Sequence, residues 1–351
     1  MRSLAAIAVL ACLVPFAAHA QAFEPRGGRF VPVRSTPIER FSLFEGNRLG
    51  PLTFLGGLQL RGRTPFSSLS GLDRLGPDRF VAVTDRGDWV VMRVDRDAEG
   101  RMESVETTMS SIAVDVEGRR DKRDFDAEGV RVLPDGTLAV SLEQRNRVLR
   151  FDADGRRLGQ MPHPIPENEL RRNKGFEAVA VAPLDSFLEG AAVVVTEHSL
   201  DPNGDLFAAV LSGPRRGVFR VRRTDEFDVT DAAFLPSGDL ILLERSYQGR
   251  LSLRMRLRRV PGDTIASGAL VDGEILLTAG LASEIDNMEG LAIHRDERGT
   301  ILTLVSDDNG SFLQRTLLLE FLLAPGGAAP AIPIPRMRPL AVAQGEGDRR
   351  E

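Results

Sequence analysis

The chain has 351 residues, a net charge of −5 and one cysteine, Cys12. A chain this long can bury a core without covalent staples. Its acidic balance, with no lysine/arginine-rich block, argues against nucleic acid or an anionic membrane surface as a partner.

Residues 1–20 read as a secretory leader. Arg2 gives the positive start, Leu4 to Phe16 an apolar run broken only by Pro15, and Ala18-His19-Ala20 a small-x-small cleavage site before Gln21. The run is shorter than the roughly 20 apolar residues that a bilayer-spanning helix needs. Val9-Leu10-Ala11 fits poorly before a lipidated Cys12. Cleavage removes that cysteine, and with it disulfides, thiolate metal sites and cysteine nucleophiles. The expected location is periplasmic or secreted, with no stable membrane insertion after cleavage. Residues 21–37 read as a loose lead-in.

From residue 38 to 323 one layout recurs, and such recurrence decides the architecture. A small or acidic residue opens an apolar strand, a tight turn follows, and a second strand ends on an acid. The five instances begin at Ser70, Glu128, Glu177, Asp231 and Glu289. Their turns include Gly76-Pro77-Asp78, Pro134-Asp135-Gly136 and Pro236-Ser237-Gly238, and period-2 runs around such turns signal hairpins. The spacing of 49 to 58 residues suits one four-stranded blade with its loops. The expected fold is therefore all-β, a β-propeller of five blades, with a sixth built partly from residues 28–50 left open. Leu52 to Leu60 resembles the outer strand that precedes a repeat, and it could close the ring by completing the last blade. A β-sandwich would not need one hairpin repeated five times, and a β-helix has shorter repeats. From Ala324 onward the chain turns Pro- and Gly-rich and reads as a flexible tail, 324–351.

In a hairpin, the start of the first strand and the end of the second share one edge. The acids at those two places would collect at one mouth of a central channel: Asp85, Glu128, Glu143, Glu177, Glu197, Asp231, Glu244, Glu289, Asp307 and Asp308. Carboxylates sharing a mouth repel unless a cation or basic side chains sit among them. An all-oxygen cluster suits Ca²⁺ better than zinc. Glu128, Glu177, Glu289 and Asp307 are the expected metal ligands, and Asp85 or Glu289 the expected general base. Arg86, Lys174, Arg245 and Arg315 could hold an anionic or ester substrate, although each could instead pair with the acid beside it. There is no G-x-S-x-G and no H-E-x-x-H, so metal-activated water is a better nucleophile than a serine.

Ten short motifs in order resemble the bacterial phytase-like domain proteins, described as having esterase-like activity of phytase. Among them are Thr53-Phe54-Leu55-Gly56-Gly57-Leu58, Thr84-Asp85-Arg86-Gly87, Asp126-Ala127-Glu128-Gly129, Asp286-Asn287-Met288-Glu289-Gly290-Leu291 and Gln314-Arg315-Thr316-Leu317-Leu318-Leu319. The resemblance spans about residues 40 to 322 and departs at Lys174-Gly175-Phe176, where arginine, glycine and leucine are expected. It implies an exported propeller and a calcium-dependent phosphate or carboxylic ester hydrolase. A non-catalytic propeller binding a ligand or protein, and a lactonase-type enzyme with one calcium, are the alternatives. Mass spectrometry of the exported protein should give a chain starting at Gln21; an intact Met1 or a lipidated Cys12 would contradict cleavage at that site.

Overall fold

The computed structural model describes residues 23–113, 124–249 and 252–325. The leader and nearly all of the tail lie outside them. The described strands form five sheets around a central axis, a five-bladed β-propeller. Counted from the axis outward, blade 1 contains Leu69–Gly76, Arg79–Thr84, Asp88–Arg96 and Met102–Ser111, and blade 2 contains Ala127–Val132, Leu138–Leu142, Arg147–Phe151 and Arg157–Met161. Blade 3 has Phe176–Val181, Ala192–Leu200, Leu206–Val210 and Gly217–Val221, with the short Leu270–Val271 added in parallel at its edge. Blade 4 has Asp228–Phe234, Leu240–Ser246, Arg254–Val260 and Glu274–Ala279.

Blade 5 closes the ring. Its inner strands Asn287–Asp296, Gly299–Asp307 and Thr316–Leu323 come late in the chain, and its fourth, Leu52–Gly62, comes early. Thr316 pairs with Leu60 and Leu323 with Leu52. The closing strand is thus the one expected from the sequence. Residues 28–50 do not begin a sixth blade. Arg29–Val31 adds to the outer edge of blade 1, and Val33–Ile38 becomes the outermost strand of blade 5. These strands also replace the expected loose lead-in. Their exposed backbone groups find partners on existing sheet edges, which would otherwise stay unpaired.

The hairpin turns follow from local chemistry. Gly136 and Gly238 sit at φ +80° and +90°, where glycine carries no Cβ penalty. Each donates its N–H back across the turn, to Leu133 and Leu235 respectively. The strands alternate so that both faces of a blade are apolar, and the buried side chains fall into five clusters, one between each pair of neighbouring blades. Between blades 4 and 5, for example, Phe41, Phe54 and Phe321 meet with ring centroids 5.1 to 5.6 Å apart.

The innermost strands crowd at the axis. A Cβ on Gly71 would lie 2.5 Å from the Glu128 carbonyl, and one on Gly129 would lie 2.8 Å from the Glu177 carbonyl. One long side chain fills the centre, that of Arg131. Its guanidinium donates to the carbonyls of Leu72 in blade 1, Val130 in its own blade 2, Ala232 in blade 4 and Leu291 in blade 5, and to Asp231 Oδ1 at 2.9 Å. Asp231 Oδ2 accepts from Leu291 N at 2.7 Å. Arg131 and Asp231 are both nearly inaccessible to solvent. Replacing one partner of such a pair strands the other charge in the interior, at about 3–5 kcal/mol. Arg131→Met should lower stability by about that amount in chemical denaturation; an unchanged midpoint would show that the ring does not depend on this contact.

Candidate functional site

All five inner hairpins share one irregularity. The pairing slips by a β-bulge near Ser70 and Gly71, Glu128 and Gly129, Glu177, Thr230, and Glu289, at the same level of each blade. A bulge re-aims the side chain that it carries. The bulge sets the opening residue of each blade, and small residues just after it (Gly71, Gly129, Ala178, Gly290) let the strands converge. In blade 4 that second position is Asp231, which reaches down to Arg131 rather than up to the mouth. It is therefore a pin below the mouth, not a mouth carboxylate.

The second strands supply the partners. Alternation along them places Asp85, Glu143, Glu197, Arg245 and Asp307 at equivalent ends. Each lies on the face whose apolar neighbours pack against the following blade: Val83, Ala139, Val195, Leu243 and Val305. The equivalent residue of blade 4 is thus Arg245, not Glu244. One residue of register moves a side chain to the other face. Glu244 accordingly turns toward blade 3, fully buried between Arg256 Nε at 2.7 Å and Arg258 Nη2 at 2.5 Å. Asp308 also leaves the cluster. Its carboxylate accepts from Ser68 N, Gly310 N and Thr316 Oγ1.

What remains lines a cavity of about 920 Å³ at the mouth. Asp85, Glu128, Glu143, Glu177, Glu197, Glu289 and Asp307 all line it. So does Asp126, which the repeat pattern missed because it precedes the shared opening position by two residues; that i, i+2 spacing to Glu128 on one strand face was the available signal. Two sets of three carboxylates converge until one oxygen from each lies within 4.8 Å of the others: Asp126, Glu128 and Glu143, and Glu143, Glu177 and Glu197. Glu143 belongs to both. Of the four expected metal ligands, Glu128 and Glu177 fall in these sets, while Glu289 and Asp307 lie across the mouth.

Glu289 faces Arg245, whose guanidinium also hydrogen-bonds Asn287 and reaches Glu197 at 3.4 Å. The second oxygen of Glu289 is buried without a hydrogen-bond partner. Arg245 is therefore an internal cation in the acidic ring. Burial opposes its charge, but Glu289, Glu197 and Glu177 outweigh that and hold the guanidinium protonated. Lys174 Nζ lies 3.1 Å from Glu197 Oε1, Arg86 Nε 3.9 Å from Asp85, and Arg315 Nη1 2.5 Å from Glu284. Each of the four expected substrate-binding cations thus has an acidic neighbour. Of the four, Arg245 and Arg315 line the cavity, and Arg86 lies in an adjoining groove with Asp308. None of the three histidines among the described residues lines the cavity.

Burial and mutual repulsion dominate the electrostatics. Desolvation, then the charges of Glu143, Asp126 and Glu289, push Glu128 well above the ordinary carboxyl range. Desolvation and the surrounding glutamates do the same to Glu177. Burial raises Glu289 to about 8 against the pull of Arg245, and Asp307 to about 7, where Asp85 and Asp308 add repulsion. A carboxyl whose folded-state pKa is raised stabilises the fold below its unfolded value, and that stability is lost as pH rises through the folded one. Cation-free protein should therefore lose melting temperature from mildly acidic conditions up to about pH 8, the value to which Glu289 is pushed. A melting temperature that is flat or rising over that window in chelator would contradict this picture.

The sequence pattern of the phytase-like family, described as "Esterase-like activity of phytase", matches residues 64–310. No curated protein matches the chain. Among solved structures, similar chains include a streptogramin B lyase at 11% identity, covering 86% of this chain and 90% of its own, with a TM-score of 0.37. The allergen Mala s 1 of Malassezia sympodialis is 12% identical, covering 78% and 90%, with a TM-score of 0.39. Virginiamycin B lyase from Staphylococcus aureus is 8% identical, covering 83% and 100%, also with a TM-score of 0.39. At such scores the likeness carries no argument about the site. The family match spans most of the chain, its repeats and every carboxylate of the mouth, and the protein belongs to the phytase-like family.

Proposed function

We propose that the protein is an exported hydrolase of phosphate or other esters that depends on a divalent cation, calcium by the chemistry of its ligands. The observation that carries the reading is the pair of carboxylate triplets sharing Glu143. Their donors are all oxygen, which suits a hard cation such as Ca²⁺. Buried acids this close need either protons or a cation to be tolerated, and a cation relieves every one of them at once. The family's description as esterase-like agrees with the reading. So does the leader, although residues 1–20 lie outside the described ones. Among the described residues no helix is long and apolar enough to cross a membrane.

In this reading Asp126, Glu128, Glu143, Glu177 and Glu197 hold the cation. When bound it supplies a polarised ester oxygen and a more acidic water. The chain's own residues do the rest. Glu289, with one oxygen on Arg245 and the other without a partner, takes the proton of the attacking water as general base, with Asp85 the second choice. Arg245 keeps Glu289 oriented and adds positive charge where the ester oxygen becomes negative. Arg315, Lys174 and Arg86 serve mainly their acidic neighbours, with Arg315 the better placed of the three to touch a substrate.

Turnover of generic phosphate and carboxylic esters by the purified mature protein, with calcium and with chelator, tests this. Calcium should also raise the thermal stability, by about 2.7 kcal/mol at a hundredfold excess over Kd. Glu143→Gln should lower calcium-dependent turnover by at least about tenfold, the lower bound for disturbing even an outer partner of a metal. Glu289→Gln should lower turnover while leaving most of the thermal response to calcium. Stabilisation by calcium without turnover of any ester would point to a binding propeller. No response to calcium in either measurement would remove the cation from the reading.

A further inference from the structure

The cavity lining is uneven. Blades 2 and 3 supply the two carboxylate triplets, whereas the loops of blades 4 and 5 add apolar side chains beside Asp286, Glu289 and Asp307. Tyr247, Leu253, Leu281, Ile285 and Leu313 line the same cavity as Glu143 and Glu177. Three of them, Tyr247, Leu281 and Leu313, are more than half exposed, at 61%, 53% and 55%. The neighbouring loop tips extend this arc outward. Phe312 is 94% exposed beside Leu313, and Leu43 and Phe44 are 80% and 84% exposed on a turn tied to residue 282 by Leu43 N donating to the Ala282 carbonyl. Half of the large apolar side chains exposed among the described residues therefore gather in the loops along one side of one mouth. An apolar surface concentrated in this way marks a binding surface rather than scattered exposure.

The lining also limits which ester can sit there. A ligand with several phosphates would need unengaged cations. The described lining offers two, Arg245 and Arg315, and both are held by carboxylates, Arg245 by Glu289 and Glu197, Arg315 by Glu284 and Asp286. Leu253, Leu281, Ile285 and Leu313, interspersed with polar groups such as Ser283, Asn287 and Gln314, offer a ligand hydrocarbon contact instead.

We infer that the substrate is a carboxylic ester with an apolar acyl chain, which lies along Leu281, Ile285 and Leu313 while its ester group faces the carboxylate triplets. The inference rests on the hydrolase reading and narrows it. Water adds to the acyl carbon, the bond from that carbon to the alkoxy oxygen breaks, and the proton of the water ends on the leaving alcohol. No other reactant is needed. Burial of hydrocarbon is worth about 0.8 kcal/mol per CH₂, so each methylene that reaches these side chains should raise kcat/KM about three- to fourfold.

The test measures kcat/KM of the calcium-loaded mature protein for 4-nitrophenyl acetate, butyrate, octanoate and phosphate. In parallel, calorimetry measures binding of methylphosphonate and octylphosphonate, which cannot be hydrolysed. We expect octanoate to exceed acetate by at least tenfold, phosphate to be the poorest of the four, and octylphosphonate to bind more tightly than methylphosphonate. Leu281→Ser with Leu313→Ser should collapse both chain-length ratios toward one. Equal kcat/KM for acetate and octanoate with equal binding of the two phosphonates would overturn the inference, as would preference for the phosphate ester. Chain-length-dependent phosphonate binding without hydrolysis of any ester would keep the apolar subsite and sink the hydrolase reading instead. Sedimentation with phosphatidylcholine vesicles that the double variant abolishes, together with no chain-length dependence, would give the arc to a lipid surface and overturn the inference as well.

Discussion

The architecture depends on how closely five inner strands can approach one axis. Where they converge, a Cβ at Gly71, Gly129 or Gly290 would press on the backbone of the neighbouring strand, so these positions are glycine. The remaining space admits one guanidinium. Arg131 satisfies carbonyls from blades 1, 2, 4 and 5, and Asp231 both neutralises it and accepts from Leu291 N. Its five donors in a planar fork suit this task better than a lysine ammonium would. The plug closes the channel, and the space above it becomes a blind cavity rather than a pore.

Everything functional stands on that floor. The bulge that the five inner hairpins share turns the residue just above the floor into the cavity, and the strand paired with it adds a second side chain facing the following blade. Where both are acids, charge accumulates faster than solvent can compensate, and burial pushes Glu128, Glu177, Glu289 and Asp307 toward their protonated forms. Blade 4 breaks the pattern twice, with Thr230 at the bulge and Arg245 at the strand end. The result is an asymmetric mouth: the carboxylates converge most tightly at blades 2 and 3, and Arg245 of blade 4 faces Glu289 of blade 5. The apolar loops of blades 4 and 5 complete that asymmetry.

Much of this was legible in the sequence, because repetition shows the rule before any single residue does. Five hairpins with Pro/Gly turns, the acids at their edges and the outer strand at Leu52 lead to a five-bladed ring closed by its N-terminal part. The errors share one physical origin. Strand faces alternate with period two, so reading Leu240–Leu243 as ending on Glu244 put the wrong residue at the mouth, and only the paired register corrects it to Arg245. Asp231 was grouped with the mouth acids because the bulge offset by one residue is invisible in a single strand. Arg131 was missed altogether, although an arginine flanked by Val130 and Val132 in an inner strand is a signal for a buried ion pair. The apolar arc comes from irregular loops with no period to read, and only the folded chain brings residues 43, 247, 281 and 313 to one side of the mouth.

The central claim is that the two carboxylate triplets sharing Glu143 form one cation site. Calorimetric titration of Ca²⁺ into chelator-treated protein tests it most directly, comparing wild type with Glu143→Gln and with Asp308→Asn, whose carboxylate is taken up by Ser68, Gly310 and Thr316. The account predicts saturable binding in the wild type, retained in Asp308→Asn and weakened by at least about tenfold in Glu143→Gln. No heat of binding in the wild type, or equal affinity in all three proteins, would contradict it.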